Sequence, residues 1–304
     1  MNRRLFISFS GGETSGLMTR LLLTRWRDRY DEIVVGFANT GEENEETLEF
    51  VRLCDLNFDF QTVWLEAVVH HGKRAGTTHR VIDYSTASRK GEPYEDHIKK
   101  FGIPNKNFPH CTRELKLRPI RSYLKSIGWA TGTYNTAIGI RADEPTRRLD
   151  SAAAARIVYP LLDWLPTTKP DVNQFWMDQT FRLNLMGYQG NCKWCWKKST
   201  RKLLTIMDDN PRTFDFPESM EEQYGLIGAE FQKTVVPGYR RVFFRGALST
   251  KDLRQAYADN RDKLVRQDDD AIVGSLIKID LEEGDDAAGC SESCEVDFTE
   301  AEPV

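Results

Sequence analysis

Short apolar runs alternate with amphipathic stretches along the first 140 residues of the chain. The apolar runs are four to six residues long, and they predict strands over 5–9, 33–38, 61–65 and 137–140. Helical spacing of apolar positions predicts helices over about 14–27, 43–54 and 112–126. Strands that alternate with helices in this way are typical of an α/β fold, a parallel sheet flanked by helices.

The pattern changes twice in the remainder of the chain. Val172, Phe175 and Trp176 recur at helical spacing and predict a short helix over about 169–178, with Pro170 in its first turn. Residues 205–267 predict a helical C-terminal appendage whose last helix begins near Ser249. Residues 268–304 hold 13 acidic side chains against one lysine and predict a flexible acidic tail. The predicted organisation is therefore a main domain over 1–204, the appendage and the tail.

Residues 68–110 are polar and contain several Gly and Pro, which is long for a connection between elements. We expect a lid or insertion here. This stretch holds His70, His71, His79 and His97, but without the spacing of a histidine metal motif. The sequence therefore favours surface histidines on a loop.

The first predicted strand leads directly into a turn rich in Ser and Gly and then into a helix. Glycines let backbone N–H groups converge on an anion, hydroxyl groups add donors, and the helix starting near Thr14 adds its positive dipole end. The turn therefore predicts a phosphate site, with the candidate residues Ser8, Ser10, Gly11, Gly12, Thr14 and Ser15.

Further polar side chains follow other predicted strands at their carboxyl ends, where α/β proteins bind ligands. Asn39, Thr40 and Gly41 follow the second strand and are expected to line the same crevice. Arg141 follows a later strand and offers a planar fork for a phosphate or sulfate. Asp143 is expected to orient this arginine or to bind Mg²⁺, and Lys116 is a candidate second cation. The catalytic candidates are thus Arg141, Lys116 and Asp143.

Three cysteines form the second chemical feature. Cys192 and Cys195 are spaced C-x-x-C, and Cys111 begins a predicted helix far upstream. Such a set binds an iron–sulfur cluster, binds zinc or acts as a redox dithiol, and the spacing alone leaves all three open. Cys54 lies on an apolar helix face and is expected to be a core residue.

The turn resembles the S-G-G-x-x-S pyrophosphate loop of the adenine nucleotide α-hydrolase-like superfamily, also called the PP-loop superfamily. Four more segments, 37–47, 111–116, 138–144 and 190–195, occur in the order of its phosphoadenosine phosphosulfate (PAPS) reductase-like family. The resemblance covers roughly residues 4–205. Within this family, the chain resembles the divergent subgroup that bacteriophages often carry.

This resemblance implies a Rossmann-like nucleotide-binding domain that binds PAPS or ATP at the loop, with Mg²⁺ as a further ligand. It also implies a [4Fe–4S] cluster on Cys111, Cys192 and Cys195, with zinc as the alternative. The fourth ligand would be substrate sulfur, His110 or a tail cysteine. Thr112 stands where related proteins have another cysteine. Cys290 and Cys294 lack the family's tail motif, and we expect accessory thiols there.

Three functions remain open on these grounds. The first is reduction of an adenylyl sulfonucleotide by thiols, with a thiol electron donor as partner. The second is ATP-dependent adenylation of a nucleic-acid base followed by sulfur transfer. The third is a nucleotide- or nucleic-acid-binding regulator with a structural zinc. Glu13 lies in the loop, and its negative charge would repel a triphosphate unless the side chain faces away. This repulsion favours the first function, which needs a ligand with fewer charges.

Charge and composition indicate the class of ligand and the cellular compartment. The net charge of −4 divides into −12 for residues 268–304 and +8 for the rest, and a basic body suits an anionic ligand. The sequence contains no apolar run of about 18 residues, so we expect no membrane span. The first strand begins within a few residues, which leaves no room for a signal peptide. We therefore expect a cytoplasmic enzyme, in the host cytoplasm if a phage encodes it.

Overall fold

The strands form a single twisted sheet at the centre of the protein. The computed structural model describes residues 3–72, 75–228, 239–267 and Phe298. Within these residues the strands are β1 Arg4–Ser8, β2 Glu32–Asn39, β3 Val63–Val69, β4 Thr77–Ile82, β5 Asn135–Ala137 and β6 Ile157–Val158. Their order across the six-stranded sheet is β4-β3-β2-β1-β5-β6. The predicted α/β class, with a mostly parallel sheet, is confirmed.

β1 lies in the middle of this sheet and pairs in parallel with β2 on one side and β5 on the other. Leu5, for example, is in register with Ile33 of β2 and Asn135 of β5. The chain builds the sheet outward from β1 to β4 and then returns to the other side of β1 for β5. The strand order therefore reverses next to β1, and the carboxyl ends of β1 and β5 form the crevice where such sheets bind ligands.

Helices cover both faces of the sheet. Their bounds are α1 Glu13–Thr24, α2 Glu45–Phe58, α3 Glu92–Phe101, α4 His110–Thr112, a π-helical turn Arg113–Leu117, α5 Arg118–Ser126, α6 Lys169–Met177, α7 Thr200–Asp209, α8 Asp215–Tyr224 and α9 Thr250–Asn260. Short 3₁₀ turns lie at Arg27–Arg29, Pro145–Arg147, Pro211–Phe214, Arg245–Ala247 and Arg261–Lys263, and a second π-helical turn at Pro160–Trp164. Within the described ranges, no helix is long and apolar enough to cross a membrane.

The described residues bury three apolar clusters. One packs α1, α2 and α6 against the sheet and includes Cys54, which is fully buried as predicted. A second packs α5 against the opposite face and takes in Phe298. The third joins α3 to α7, α8 and α9 and includes Trp194 and Trp196. The helical appendage therefore shares its core with the segment that carries the C-x-x-C pair.

The stretch 68–110, predicted as a lid or insertion, contains two regular elements, β4 and α3. β4 is an antiparallel edge strand beside β3, and with only Val81 and Ile82 as apolar residues it gives little apolar signal. The expectation that His97 lies on a surface loop is wrong. His97 is fully buried in α3, where its Nε2 lies 2.8 Å from the Nδ1 of His110.

Other predicted bounds shift by a few residues. The helix over 169–178 and the helix after Ser249 are confirmed, and each begins with a capping box. The strand predicted over 137–140 ends at Ala137, because the chain bends after it and the Ile140 N–H donates to the Ile138 carbonyl. The acidic tail, with Cys290 and Cys294, lies outside the described residues except for Phe298.

Candidate nucleotide-binding and thiol site

The phosphate loop, residues 9–15, curls back on itself through its own hydroxyl groups. The Ser15 hydroxyl donates to the Gly12 carbonyl at 2.9 Å, accepts the Ser10 N–H at 3.2 Å and lies 2.9 Å from the Ser10 hydroxyl. Gly11 adopts a φ of +81°, and a Cβ there would lie 2.6 Å from the Thr47 side chain. The tight turn sets the N-terminus of α1 at the end of β1, where the helix dipole favours an anion.

Glu13 turns away from the loop and pairs elsewhere. Its carboxylate accepts two hydrogen bonds from the Arg182 guanidinium, at 3.0 and 3.2 Å. Its backbone carbonyl accepts the Trp176 indole N–H at 2.9 Å. The negative charge that the sequence placed in the loop is therefore matched by an arginine, and α6 fixes the start of α1.

Arg141 lies beside the phosphate loop. Its Nη1 donates to the Thr14 hydroxyl at 3.3 Å, its Nε donates to Asp143 at 2.9 Å, and its Nη2 lies 3.3 Å from a Glu144 carboxylate oxygen. Burial alone would raise the pKa of Asp143, but hydrogen bonds from Arg141 and the Lys169 N–H outweigh burial and lower that pKa. The acid is thus ionised and orients the guanidinium, one of the two roles expected for it.

The next two arginines are engaged elsewhere. Arg147 pairs with Glu144 at 3.0 Å, and Arg148 pairs with Asp163 at 2.8 Å. Arg141 is the arginine of this segment that contacts the phosphate loop.

The loop after β2, residues 40–44, is organised by Glu43. One Glu43 carboxylate oxygen accepts both the N–H and the hydroxyl of Thr40, each at 2.8 Å. The Asn39 side chain is fully buried and bonds to Glu66, to the Ser88 carbonyl and to the Gly41 N–H. Asn39 therefore supports this turn from behind, and its side chain lines neither cavity described below.

Gly41 has a role in the backbone of the same turn. Its φ is +84°, and a Cβ there would lie 3.0 Å from Gly91 and Pro93 at the start of α3. The turn thus requires glycine because of its conformation and because α3 lies against it.

The cysteine loop, residues 190–198, is attached to both preceding loops. The Asn191 side-chain amide donates to the Ser10 carbonyl at 2.7 Å, and the Asn191 carbonyl accepts the Asn44 N–H at 2.8 Å. The Lys193 N–H donates to the Glu42 carbonyl at 3.0 Å. Lys198 is buried, and its ammonium donates to the Cys192 carbonyl at 2.5 Å. These contacts hold the C-x-x-C pair beside the phosphate loop.

All three cysteines predicted as ligands line one cavity, which we call the cysteine pocket. It encloses about 390 Å³ of space, including its opening to solvent, and its walls are Thr40, Glu42, Tyr94, Cys111, Thr112, Lys116, Cys192, Trp194, Cys195 and Trp196. The cysteines are free thiols. Burial raises the pKa of Tyr94, and the neighbouring Cys111, Cys195 and Cys192 raise it further.

The three thiols do not form a preassembled metal site. No three His, Cys, Asp or Glu side chains of the described ranges are arranged so that they could hold a metal ion. Tetrahedral zinc needs each thiolate about 2.3 Å from one ion, whereas each thiolate of a cubane cluster binds a different iron. His110, the alternative fourth ligand, contacts His97 and is not part of the pocket wall.

Lys116 connects the cysteine pocket with the phosphate loop. It lines the cysteine pocket and also a second crevice of about 260 Å³ whose walls include Ser8 and Ser10. Its ammonium lies 3.6 Å from the Glu43 carboxylate, and the Cys192 sulfur lies 3.8 Å from the same oxygen. A buried cation therefore stands between the two halves of the site.

Sequence reasoning missed several residues of this site. Glu42 lies in the pocket wall and accepts the Trp194 indole N–H at 2.5 Å, and burial raises its pKa to about 7 against the opposing effect of Lys193. Glu43, Asn191 and Lys198 were not singled out either. Glu42, Glu43 and Asn191 lie within segments that carry the family resemblance, and this is the signal that could have found them.

Comparison with known proteins gives relatives without an assigned activity. No family model matches the chain. Protein MJ0973 of Methanocaldococcus jannaschii is 26% identical over 180 residues, which cover 55% of this chain and 34% of that protein. MJ0066 of the same organism is 24% identical over 125 residues, or 41% of this chain and 20% of that protein.

A third relative covers nearly the whole chain. The uncharacterized nin region protein ORF290 of Escherichia phage lambda is 30% identical over 294 residues, which span 95% of this chain and 94% of the phage protein. The chain therefore belongs to the family of the phage lambda nin region protein ORF290.

Proposed function

We propose that this protein is a PAPS reductase-like enzyme that binds an adenine sulfonucleotide at the phosphate loop and carries out thiol-dependent sulfur chemistry in the cysteine pocket. One observation carries this proposal. Lys116 lines both the crevice beside Ser10 and the pocket that holds the three cysteines. A ligand whose phosphate lies in the phosphate loop can therefore reach the thiols with its far end.

The residues of the site have distinct tasks in this proposal. The backbone of Gly11 and Gly12 and the hydroxyl of Thr14 bind the phosphate, with the dipole of α1 behind them. Arg141, oriented by Asp143, neutralises charge on the leaving phosphate or sulfate. Lys116 holds the negatively charged group that bridges the two cavities. Thiol chemistry suits the reducing host cytoplasm, where a small dithiol or a thiol protein would supply electrons.

Cys111, Cys192 and Cys195 would hold an iron–sulfur cluster. Such a cluster supplies electron transfer or an iron site for sulfur, with a reduction potential set by its surroundings. The chain contributes a pocket with tryptophans in its wall and two buried lysines, Lys116 and Lys198, near the thiols.

The decisive experiment combines ligand binding with product analysis. Protein purified and reconstituted without oxygen is titrated with PAPS and AMP by calorimetry, and sulfite is measured after addition of PAPS and a dithiol. Binding that is lost in Gly12→Val, with sulfite release lost in Cys192→Ser and Cys195→Ser, supports the proposal. Cys54→Ala is the matched control, since Cys54 is buried in the core away from the pocket. Absence of any heat with PAPS, AMP or ATP contradicts the proposal.

A second function, ATP-dependent adenylation with sulfur transfer to a nucleic-acid base, is favoured by one observation. Glu13 pairs with Arg182, so its charge does not oppose a triphosphate in the loop. This function predicts release of AMP and pyrophosphate from ATP only when RNA or DNA is present. Sulfite release from PAPS without nucleic acid would argue against it.

A further inference from the structure

The wall of the cysteine pocket includes a buried hydrogen-bond donor for which the described residues provide no acceptor. Trp196 is 5% exposed and lines the pocket, and its indole Nε1 has no hydrogen-bond partner among the described residues. A buried N–H without an acceptor has lost its hydrogen bond to water without replacement, which destabilises the folded protein. Most buried polar groups in folded proteins have a partner, so this one requires an explanation.

Four other buried indoles of the described ranges differ from Trp196 because they have acceptors. Trp64, Trp129, Trp176 and Trp194 donate to Asp55, Glu32, the Glu13 carbonyl and Glu42, at 3.3, 3.2, 2.9 and 2.5 Å. Trp194 and Trp196 flank the same cysteine, and the protein satisfies the first of them. The unpaired indole is thus a particular feature of the pocket wall.

The neighbouring polar groups bond to one another and leave Trp196 aside. Thr40 donates to Glu43, Glu42 accepts from Trp194, and Lys116 pairs with Glu43. Trp196 therefore brings a buried N–H without a partner in the described ranges to the wall of a pocket that Lys116 also lines. A hydrogen-bond donor and a cation in the wall of one pocket suit an anionic, electron-rich acceptor.

We propose that the Trp196 indole N–H donates a hydrogen bond to an anionic acceptor bound in the cysteine pocket. That acceptor is a sulfur atom of a cluster held by the three cysteines, or an oxygen of a sulfur oxyanion of the sulfite class. This inference rests on the proposed function, since both place sulfur chemistry in this pocket. It adds Trp196 as a binding residue that recognises the group held there.

The test compares Trp196→Phe, which keeps an aromatic ring and removes the N–H, with the parent protein. Trp129→Phe is the matched control, because it removes an indole that donates to Glu32 on the sheet, outside the pocket. In one arm, metal-free and oxygen-free protein is titrated with sulfite by calorimetry. In the other arm, protein reconstituted with iron and sulfide loses iron to a chelator while its visible absorption is followed.

We expect Trp196→Phe to weaken sulfite binding or to accelerate iron loss about tenfold, which corresponds to about 1.4 kcal/mol. Trp129→Phe should leave both unchanged. The arm that responds identifies the acceptor as oxyanion or cluster. If Trp196→Phe equals the parent in both arms, the proposal is wrong.

A second measurement avoids dependence on the folding of the variant. The chain has seven tryptophans, and labelling them with ¹⁵N gives separate indole N–H resonances in the parent protein. We expect one of them to shift when sulfite is added or when the cluster is reconstituted, and no shift in either case contradicts the proposal. Calorimetry with AMP on the same samples tests the proposed function separately, because AMP need not occupy the cysteine pocket.

Discussion

The phosphate loop and the cysteine loop meet at one site, but the contacts that shape them differ in their range along the chain. The bend of the phosphate loop is made by its own residues, through the hydrogen bonds of Ser15 to Ser10 and Gly12. The cysteine loop has local contacts from Lys198 to Cys192 and Cys195, and it is otherwise attached through partners far away in sequence, such as the contact from Asn191 to Ser10. Local contacts fix a conformation that a short peptide pattern can encode, whereas distant contacts require the whole fold.

This difference has a consequence for the site. A local change in the phosphate loop should disturb the loop itself and the ligand it binds. A change in the cysteine loop should instead alter how the thiols are positioned relative to the phosphate. The following substitutions test this contrast in order of expected effect.

Gly11→Ala should have the largest effect, because it combines backbone strain with a steric overlap. The residue has a φ of +81°, and the added Cβ would lie 2.6 Å from Thr47. We expect a loss of about 3 kcal/mol in unfolding free energy, measured by urea denaturation, together with loss of AMP binding.

Two control variants separate the backbone strain at Gly11 from the steric overlap with Thr47. Gly132→Ala adds a Cβ at a φ of +83° with no atom within 4 Å, and Gly76→Ala adds one in open space without a positive φ. We expect about 1 kcal/mol for Gly132→Ala from strain alone, and almost none for Gly76→Ala. Equal losses in Gly11→Ala and Gly132→Ala would show that the overlap with Thr47 has no importance.

Lys198→Met should come next, as it removes the buried ammonium that donates to the Cys192 carbonyl. We expect about 2 kcal/mol lower stability, and faster alkylation of Cys192 by iodoacetamide as the loop loosens. Lys125→Met, on an exposed position of α5, serves as the control. An unchanged alkylation rate in Lys198→Met would mean that the cysteine loop does not depend on this lysine.

Asn191→Ala should have a smaller effect on stability but a specific one on coupling. It removes the 2.7 Å hydrogen bond to the Ser10 carbonyl, a loss of about 1 kcal/mol. We expect AMP affinity to fall about fivefold in calorimetry, while Asn107→Ala, at an exposed position, retains it. Unaltered AMP affinity would show that the two loops act independently.

Glu42→Gln should give the smallest change, visible as a pH dependence. Burial raises the folded-state pKa of Glu42 from 4.5 to about 7, so the folded protein binds more protons than the unfolded chain between these values. The contribution of Glu42 to the free energy of unfolding is therefore fully present below about pH 4.5 and is lost as the pH rises to about 7. Denaturation at pH 5 and pH 8 should show this decline in the parent protein and in Glu46→Gln, and should show most of it removed in Glu42→Gln.

The parts of the fold that the sequence pattern predicts are those with a strong local signal. The central strands β1 and β2 consist largely of buried apolar residues, and α6 is marked by its capping box at Thr168 and Asp171. The phosphate loop belongs to the same class, since glycines and hydroxyls at fixed offsets determine its shape. These features require little knowledge of the remaining chain.

The remainder depends on contacts between distant segments. The edge strand β4 has only two apolar residues, Val81 and Ile82, so no apolar run marks it. His97 is buried because α3 packs on the appendage and because His110 faces it across the fold. The family resemblance grouped the three cysteines, but the pairing of Glu13 with Arg182 and the position of Lys116 between two cavities follow only from tertiary packing.

Phe298 packs on the central strand β1, and this contact matters for how the protein is prepared. Its ring lies 5.9 Å from that of Phe6 on the central strand, and its carbonyl accepts a hydrogen bond from the buried Arg121 at 2.7 Å. A shortened version that stops after α9 would uncover the aromatic surface above β1. Expression trials should therefore keep this residue, and a purification tag is better placed at the other terminus.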